Sequence, residues 1–511
     1  MTQKCLKANV FFDESLVKES AEQSIDIEFS LPDYCPDISK IFKCQAVPRI
    51  ASKSTTNNSV TVDGTVSILL LYSDKEGTLC SYEYQYPFSK SIETSSDITG
   101  ASLTAFVKNE YLNCRAVTGR KVDIHGAVGI YINIFKRNAD EIVCDYEEPT
   151  LELRRGVVPA TVPMGYAEKY LTLEEEIPLS QNNSAPIKNI IRSNAEPCIK
   201  ETKVINDKAV VKGEIKVCIL FCSEGNKNPQ MLKTTLPFSQ IVDVSGVTDS
   251  CACDTKVQIA SLEVKPRVSA TGESRSFSFG AKLLLCCECY CGNDIAVITD
   301  AFSRKFSAEI ARKKVNFKNI AKNICESFNC KKTLSFDDEI SSVIDLSCTV
   351  SSAITRFKEN CMTISGGITA AFIICNRKGD VIYCEKPIDF EYKIPHNLSD
   401  VNLSCDPQIN INSCNFTIIS DNTVELMVAL NINAAIYENT AMELISDIAV
   451  DENNLIAKRR KGAMTVYFPS QNEQVWDIAR IYSASVDEIM KINELDSQTV
   501  KQRHMILIPM G

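Results

Sequence analysis

Cysteine is the residue type that offers this chain the most chemistry. The chain has 511 residues with 23 cysteines, and their densest group consists of Cys251, Cys253, Cys286, Cys287, Cys289 and Cys291. On a strand, Cys287, Cys289 and Cys291 share one face, where three thiolates are potential ligands of Zn²⁺. Alternate strand residues lie about 7 Å apart, however, which is farther than two thiolates on one zinc ion normally lie. We therefore expect buried core cysteines, with no bound metal and no cofactor.

The sequence contains few of the residues on which side-chain catalysis depends. The three histidines, His125, His396 and His504, stand far from one another in the sequence. A Ser–His–Asp or Cys–His arrangement needs one of them beside a nucleophile and an orienting group. The sequence contains no phosphate-binding glycine loop and no GxSxG or HExxH motif. We expect no enzyme activity.

Charge and hydropathy exclude two classes of partner. The 65 acidic and 55 basic residues give a net charge of −10, and the one concentrated basic run, Lys458–Lys461, is typical of a solvated linker. We therefore expect no nucleic-acid binding. The longest apolar runs, such as Ile68–Tyr72, are far shorter than the roughly 20 residues that span a bilayer. Acidic residues interrupt the apolar cluster Val10–Phe12, so we expect no secretory signal, retention in the compartment of synthesis, and reduced thiols.

The elements that would position these groups are strands of an internal repeat. Three segments alternate apolar and polar residues as half-buried strands do: Ser59–Tyr72, Ala209–Phe221 and Met362–Ile374. Each contains a glycine on its apolar face, and a phenylalanine follows 24, 25 and 24 residues later; the pairs are Gly64 and Phe88, Gly213 and Phe238, and Gly366 and Phe390. Glycine inside a strand is typical of a bulge or a close backbone approach.

The repeat predicts a mainly β fold with several domains. Short strands joined by polar turns favour a β-sandwich or a small barrel in each copy, and the sequence does not distinguish the two. We place three repeat domains at residues 1–160, 161–313 and 314–445, followed by a basic linker at 446–461 and a last domain at 462–511. Between the second and third copies, the spacing of Ile320, Ile324 and Phe328 indicates helical or irregular structure.

The last domain, Gly462–Gly511, is predicted to be a small α+β module. Met464–Phe468 and Met505–Pro509 have strand character, and Asn472 is placed to cap a first helix. A second helix begins at the capping-box pair Ser485 and Glu488. The apolar faces of the two helices are Val475, Ile478, Ala479 and Tyr482, and Val486, Ile489 and Ile492.

This strand–helix–helix–strand module resembles the LysM family. The matching positions are Thr465-Val466-Tyr467, Trp476-Asp477-Ile478-Ala479, Tyr482, Val486, Ile489, Asn493, Leu495 and Leu507-Ile508-Pro509. The resemblance implies binding of N-acetylglucosamine glycans such as peptidoglycan, through the loop after the first strand and the segment before the last. The candidate residues for glycan or partner binding are therefore Pro469, Ser470, Asn472, Glu473, Gln474, Asn493, Leu495 and Asp496.

Two positions of the module bear on whether it binds sugar. Asn472-Glu473-Gln474 stands where the LysM family commonly has Gly-Asp-Thr, and this departure weakens the glycan hypothesis. Trp476 is the only tryptophan of the chain. The family pattern implies a core position for it rather than a sugar-stacking platform.

The first repeat adds a second resemblance. It contains the phrase Leu31-Pro32-Asp33-Tyr34-Cys35-Pro36-Asp37-Ile38, which has a looser counterpart at Ile177–Ile190 and none that we find in the third repeat. This phrase resembles the SipL-like spore coat morphogenetic proteins, in which three repeats precede one LysM domain. The resemblance implies a non-enzymatic assembly factor of the mother-cell cytoplasm, at the forespore surface. Its implied partner is the ATPase of the coat basement layer. The alternative is a peptidoglycan-binding protein of the cortex or wall.

Overall fold

The structure is a computed structural model that describes residues 5–95, 97–179, 185–225, 229–269, 272–398, 402–456, 464–500 and 505–509. Strands dominate, which confirms the predicted mainly β fold. The first unit contains β1 (Cys5–Ser30), β2 (Lys40–Thr55), β3 (Ser59–Ser73), β4 (Leu79–Glu93), β5 (Ser102–Ala116) and β6 (Lys121–Tyr146). The second contains β7 (Leu151–Pro178), β8 (Ile187–Ile205), β9 (Lys208–Ser223), β10 (Gln230–Asp243), β11 (Ala252–Val268) and β12 (Ser274–Ser303).

The rest of the chain forms a third unit and a small module. The third unit contains β13 (Phe306–Ser335), β14 (Ile340–Lys358), β15 (Cys361–Asn376), β16 (Val381–Pro395), β17 (Leu403–Cys405), β18 (Gln408–Ser420) and β19 (Thr423–Leu455). The C-terminal module contains β20 (Met464–Tyr467), β21 (Glu473–Gln474), α1 (Val475–Tyr482), α2 (Val486–Ile492), β22 (Thr499–Val500) and β23 (Ile506–Pro509). No helix in these described ranges is long and apolar enough to cross a membrane.

The strands of the three units pair in the same order. The first unit has sheets β1-β6-β5 and β2-β3-β4, the second has β7-β12-β11 and β8-β9-β10, and the third has β13-β19-β18 and β14-β15-β16. The short β17 also pairs with β19. As far as the chain is described, the two sheets of a unit share no strand pairing, and they enclose one apolar core. Each unit is therefore a sandwich.

The repeated glycines lie directly opposite the repeated phenylalanines. Gly64 pairs with Phe88, Gly213 with Phe238 and Gly366 with Phe390. A Cβ on Gly213 would lie 2.4 Å from Cζ of Phe238 and 2.5 Å from the carbonyl oxygen of Cys198. The ring thus lies across the glycine backbone, which is the close approach that the sequence predicted.

The first and last strands of each unit are long, and their outer halves form two-stranded ribbons. Residues 5–15 pair with 135–146, 151–163 with 290–303, and 306–320 with 437–455. Apolar side chains from all three ribbons pack into one cluster, which includes Val10, Ile142, Val158, Val297, Val315 and Leu444. The ribbons therefore join the three units to one another.

The predicted domain limits fall within the ribbon strands. The limits at 160 and 313 fall inside β7 and β13, and the limit at 445 falls inside β19, which runs to Leu455. Residues 446–455 of the predicted linker are therefore strand, while its basic run lies outside the described residues. The sequence pattern missed this continuity because the ribbons expose many polar side chains and alternate weakly.

The helical or irregular structure indicated near Phe328 is wrong. Ile320, Ile324 and Phe328 all lie in β13, paired with β19. A spacing of four residues fits one face of a helix, but it equally fits one face of a strand. The long pairing with β19 decides between the two.

The C-terminal module has the predicted order of two helices between an outer pair of strands, β20 and β23. Ser485 caps α2 by accepting from the backbone N–H of Glu488, as predicted. Asn472 does not cap α1, because the N-cap residue is Gln474 and Asn472 has a left-handed φ of 65° in the preceding turn. Ile492 was predicted to be buried, but it is 41% exposed at the last position of α2.

Candidate interaction site

The candidate residues of the first loop are held by Glu473. Its Oε1 accepts from the hydroxyl of Tyr467 at 2.8 Å, and its Oε2 accepts from the backbone N–H of Ser470 at 2.7 Å. The first of these bonds raises the pKa of Tyr467. Pro469 is buried, whereas Ser470 and Asn472 are exposed. Glu473 thus orders the loop rather than presenting its carboxylate to a ligand.

Short strands join this loop to the segment before β23. Gln474 pairs with Thr499 in β21–β22 and donates from Nε2 to Oγ1 of Thr499 at 2.9 Å. The backbone N–H of Asn472 donates to the carbonyl oxygen of Val500 at 2.9 Å. The structure therefore brings together the two segments that the sequence singled out for binding.

The remaining candidates have structural or surface positions. Asn493 donates from Nδ2 to the carbonyl oxygens of Ile489 (2.8 Å) and Leu507 (2.7 Å), and its Oδ1 accepts from the N–H of Leu507. Leu495 packs against the module core. Asp496 is exposed. Asn493 therefore links α2 to β23, which leaves Ser470, Asn472 and Asp496 as the accessible polar candidates.

Trp476 is buried, and its contacts reach outside the module. The indole is 3% exposed and packs edge-on against Phe302 of β12, with 5.0 Å between the ring centroids. Its Nε1 donates to Oδ2 of Asp300 at 2.8 Å, and Arg480 also donates to that oxygen at 3.1 Å. Arg312 of β13 binds the other carboxylate oxygen. The predicted core position is thus a contact between the module and the ribbons.

The carboxylate of Asp300 has an unusual environment. Burial alone would raise its pKa, but the hydrogen bonds from Trp476 and Arg312 and the charge of Arg480 hold the pKa below its ordinary value. Asp300 is therefore charged at neutral pH, and it accepts from three side-chain donors on two sides of the contact and from the backbone N–H of Ala301.

The opposite side of the module exposes an apolar face that the sequence analysis did not single out. It consists of one side of the β20–β23 pair and its continuation, and its members are Met464, Val466, Phe468, Met505 and Leu507. Phe468 is 74% exposed, and Met464, Val466 and Met505 are each more than half exposed. Because strand residues alternate, Met464, Val466 and Phe468 already share one face in the sequence. An exposed apolar patch of this kind is typical of a protein-binding surface.

The Leu31–Ile38 phrase forms a loop held by one arginine. The guanidinium of Arg120 donates to the carbonyl oxygens of Leu31 (3.2 Å), Pro32 (2.7 Å) and Cys35 (3.2 Å), and to Oδ1 of Asp37 (3.0 Å). The bond from Arg120 lowers the pKa of Asp37. Tyr34 stands out from this ordered loop with 81% of its surface exposed.

The corresponding segments of the other two units begin with an equivalent backbone hydrogen bond. The backbone N–H of Leu31 donates to the carbonyl oxygen of Arg120, that of Leu179 to Arg275, and that of Phe336 to Asn422. In the third unit a shorter loop without prolines, Phe336–Ile340, is closed as in the first unit by a second bond, from the N–H of Ile340 to the carbonyl oxygen of Asp421. Sequence reasoning missed this loop because it keeps only the two apolar end residues of the phrase, Phe336 and Ile340.

Comparison with protein families gives two matches to one model, the SipL, SPOCS domain, at residues 37–117 and 186–267. Two units resemble SPOCS domains. The matched segments cover β2–β5 and β8–β11, the same four strands of each unit. The SPOCS domain is a non-catalytic, sporulation-associated domain, and its two matches support a relationship to the SipL family. No curated protein and no solved structure matches the chain.

The cysteines near the second SPOCS-like segment differ from expectation in one respect. Cys287 and Cys289 are buried in the core of that unit. Cys291, however, forms a disulfide with Cys251, with 4.5 Å between the Cα atoms, so these two are not reduced. Cys251 directly precedes β11 and Cys291 lies on its partner β12, so the pairing of these strands places the two side by side, which the sequence spacing of 40 residues did not indicate. No group of three potential ligands in the described ranges is arranged to hold a metal ion.

The two described histidines lie in different units. His125 contacts Asp26 (2.8 Å) and Asp123 (3.0 Å) on an exposed surface, and the bond to Asp26, then that to Asp123, raises its pKa. His396 is buried and accepts from the N–H of Leu398 at 3.4 Å. His504 lies outside the described residues. His125 and its two acidic partners therefore form an ion cluster at the surface.

Proposed function

We propose that this chain is a non-enzymatic scaffold of spore coat assembly, whose C-terminal module is a LysM domain that binds a protein. The proposed partner is the ATPase of the coat basement layer, and the proposed location is the mother-cell cytoplasm at the forespore surface. Two matches to a sporulation-associated domain support the setting. We further propose that the third unit is a SPOCS-like repeat, because its strands pair in the same order and its Phe336–Ile340 loop is equivalent.

The apolar face of the module is the observation that carries the proposal. Phe468 is its most exposed member, flanked by Val466 and Met505. Aromatic and aliphatic side chains at the centre of an interface supply most of the affinity between proteins. Sugar sites instead need accessible polar groups, and in the first loop Glu473 is already used internally. A protein partner therefore suits this module better than a glycan.

The full-length protein allows a direct test with the purified coat ATPase. Phe468→Ser should abolish capture of the ATPase, because it removes the central apolar contact. Ile481→Ser is a matched control. Like Phe468, Ile481 is an exposed apolar residue (54%), but it lies on α1 rather than on the β20–β23 face. Equal capture by wild type and Phe468→Ser would contradict the proposed surface.

Glycan binding is the second candidate, because β21–β22 places exposed Ser470 and Asn472 beside the segment before β23. Sedimentation of the full-length protein with insoluble peptidoglycan tests it. A sugar site predicts that wild type and Phe468→Ser co-sediment equally and that Asn472→Ala does not. If all three proteins remain in solution, the glycan alternative is excluded.

A further inference from the structure

The three units meet around a cavity that is rich in thiols. The cavity has a volume of about 2100 Å³ and adjoins the contact in which Leu71, Ile191 and Ile373 of the three units pack together. Its lining includes residues of all three units, among them Cys35, Cys80, Cys218, Cys222, Cys348 and Cys414. A cavity of this volume can hold a small molecule of the size of a short peptide.

Two of these thiols, Cys348 and Cys414, are in direct contact. Cys348 lies on β14 and Cys414 on β18, the facing edge strands of the two sheets of the third unit. Both pack against the core of that unit and both line the cavity. The thiol of Cys348 donates a hydrogen bond to the sulfur of Cys414. In the described part of the unit, no backbone hydrogen bond joins these two strands.

The two thiols are not equivalent. The hydrogen bond from Cys348 lowers the pKa of Cys414, and nearby Lys233 acts in the same direction, against burial and the charge of Glu196. The same hydrogen bond and burial raise the pKa of Cys348. Cys414 is also partly exposed, whereas Cys348 is buried. Because a disulfide in the cavity reaches the accessible sulfur first, Cys414 is the attacking sulfur and Cys348 the resolving one.

We propose that Cys348 and Cys414 form a thiol-oxidation site that reacts with small-molecule disulfides entering the cavity. The Cys414 thiolate attacks one sulfur of the disulfide, forms a mixed disulfide and releases one thiolate. The Cys348 sulfur then displaces the second thiolate and gives up its proton, which closes the Cys348–Cys414 disulfide. Two cysteine thiols are oxidised and one small disulfide is reduced to two thiols. The new bond covalently joins β14 to β18.

The first unit contains a natural comparison. Cys44 of β2 and Cys114 of β5 also form a hydrogen-bonded thiol pair between the two sheets of their unit. Neither of them lines the cavity. If access through the cavity governs the reaction, Cys348–Cys414 forms before Cys44–Cys114.

The reduced full-length protein, treated with glutathione disulfide, alkylated and mapped by mass spectrometry, tests the proposal. We expect a Cys348–Cys414 cross-linked peptide, formed earlier than any Cys44–Cys114 peptide. Cys348→Ser should trap a glutathione adduct on Cys414, whereas Cys414→Ser should leave Cys348 unmodified. Cys325→Ser, which removes an exposed cysteine, is the control and should keep the cross-link.

Three results would overturn the proposal. The first is that the wild-type protein carries glutathione at Cys325 but yields no Cys348–Cys414 cross-linked peptide. Another is a glutathione adduct on Cys348 in the Cys414→Ser protein as fast as that on Cys414 in Cys348→Ser. The third is prior formation of Cys44–Cys114. Circular dichroism of each variant shows whether the fold is intact, so a folding defect is recognised separately.

Discussion

Individual glycines and aromatic rings set the geometry of each sandwich. The ring of Phe238 occupies the space where a side chain of Gly213 would lie, and the carbonyl oxygen of Cys198 closes the other side. The partner strand has a register shift at Ile199/Glu201, beside this position. The same combination recurs at Gly64, where the partner strand shifts at Ile50/Ser52. The bulge and the close approach predicted from glycine therefore occur together.

Replacing Gly213 with alanine should destabilise the second unit by about 1–3 kcal/mol, the usual cost of overpacking a filled site. Urea unfolding monitored by circular dichroism measures this change. Gly292→Ala on β12 is the matched control, because a Cβ there meets no atom within 4 Å. If both variants unfold at the same urea concentration, the packing of Phe238 against Gly213 is not a source of stability.

At the scale of elements, the contact between α1 and the ribbons determines where the module sits. Asp300 on β12 accepts from Trp476 and Arg480 of α1 and from Arg312 of β13. Removing one charge from a buried, hydrogen-bonded cluster leaves the opposing donors unpaired. The module thus contacts the body through this carboxylate and one pair of aromatic rings, and Glu152 of β7 also accepts hydrogen bonds from Ser485 and Val486.

Asp300→Asn should release this contact. Trp476 is the only tryptophan, so its fluorescence reports directly on the contact. We expect a red-shifted emission spectrum at neutral pH in the variant, because the indole gains contact with water. Asp477→Asn, an exposed substitution on the same helix, should leave the spectrum unchanged. An unshifted spectrum in Asp300→Asn would show that Phe302 alone holds the indole.

The wild-type contact should also respond to acid. A carboxyl group whose pKa is lowered by folding contributes stability that is complete above its unfolded-state pKa, about 4, and lost as the pH falls through the folded-state value. The pKa of Asp300 is lowered in this way. We therefore expect constant Trp476 emission from neutral pH to about pH 5 and a red shift only below pH 4. A shift near pH 6 would exclude Asp300 as the titrating group.

At the scale of the whole molecule, the three ribbons hold the units together. Their common cluster contains Val10, Val297 and Leu444, one from each ribbon, all nearly inaccessible to water. Such a contact between units resembles part of a domain core, and burial of apolar surface is its main source of stability. The cavity lies at the other meeting place of the same three units, so its shape depends on this packing.

Leu444→Ala should weaken the junction by about 2–5 kcal/mol, because Leu444 is fully buried and its truncation leaves a cavity. Limited proteolysis should then cut earlier near residues 147–150 and 304–305, where one ribbon ends and the next begins. Leu455→Ala is the control, since that leucine is 64% exposed at the end of β19. Unchanged cleavage in Leu444→Ala would mean that the ribbons do not hold the units together.

The local elements could be predicted from the sequence. Alternation with a period of two predicted the central strands, the glycines within them predicted a bulge or a close backbone approach, and the apolar faces of Val475–Tyr482 and Val486–Ile489 predicted the two helices of the module. These features could be predicted because each depends on residues close together in the chain. The predicted Asn472 cap is wrong because a turn lies between Asn472 and α1. The predicted domain limits fall inside strands because the ribbon strands alternate weakly.

Contacts between distant residues could be found only in the folded protein. Trp476 meets Asp300 across 176 residues, Leu444 meets Val10 in the ribbon cluster, and Cys348 meets Cys414 beside a cavity shared by all three units. No local pattern marks such partners, because their contacts arise from burial between separately folded sheets. The same reason explains the exposed face around Phe468: only packing shows which apolar side of β20 remains uncovered.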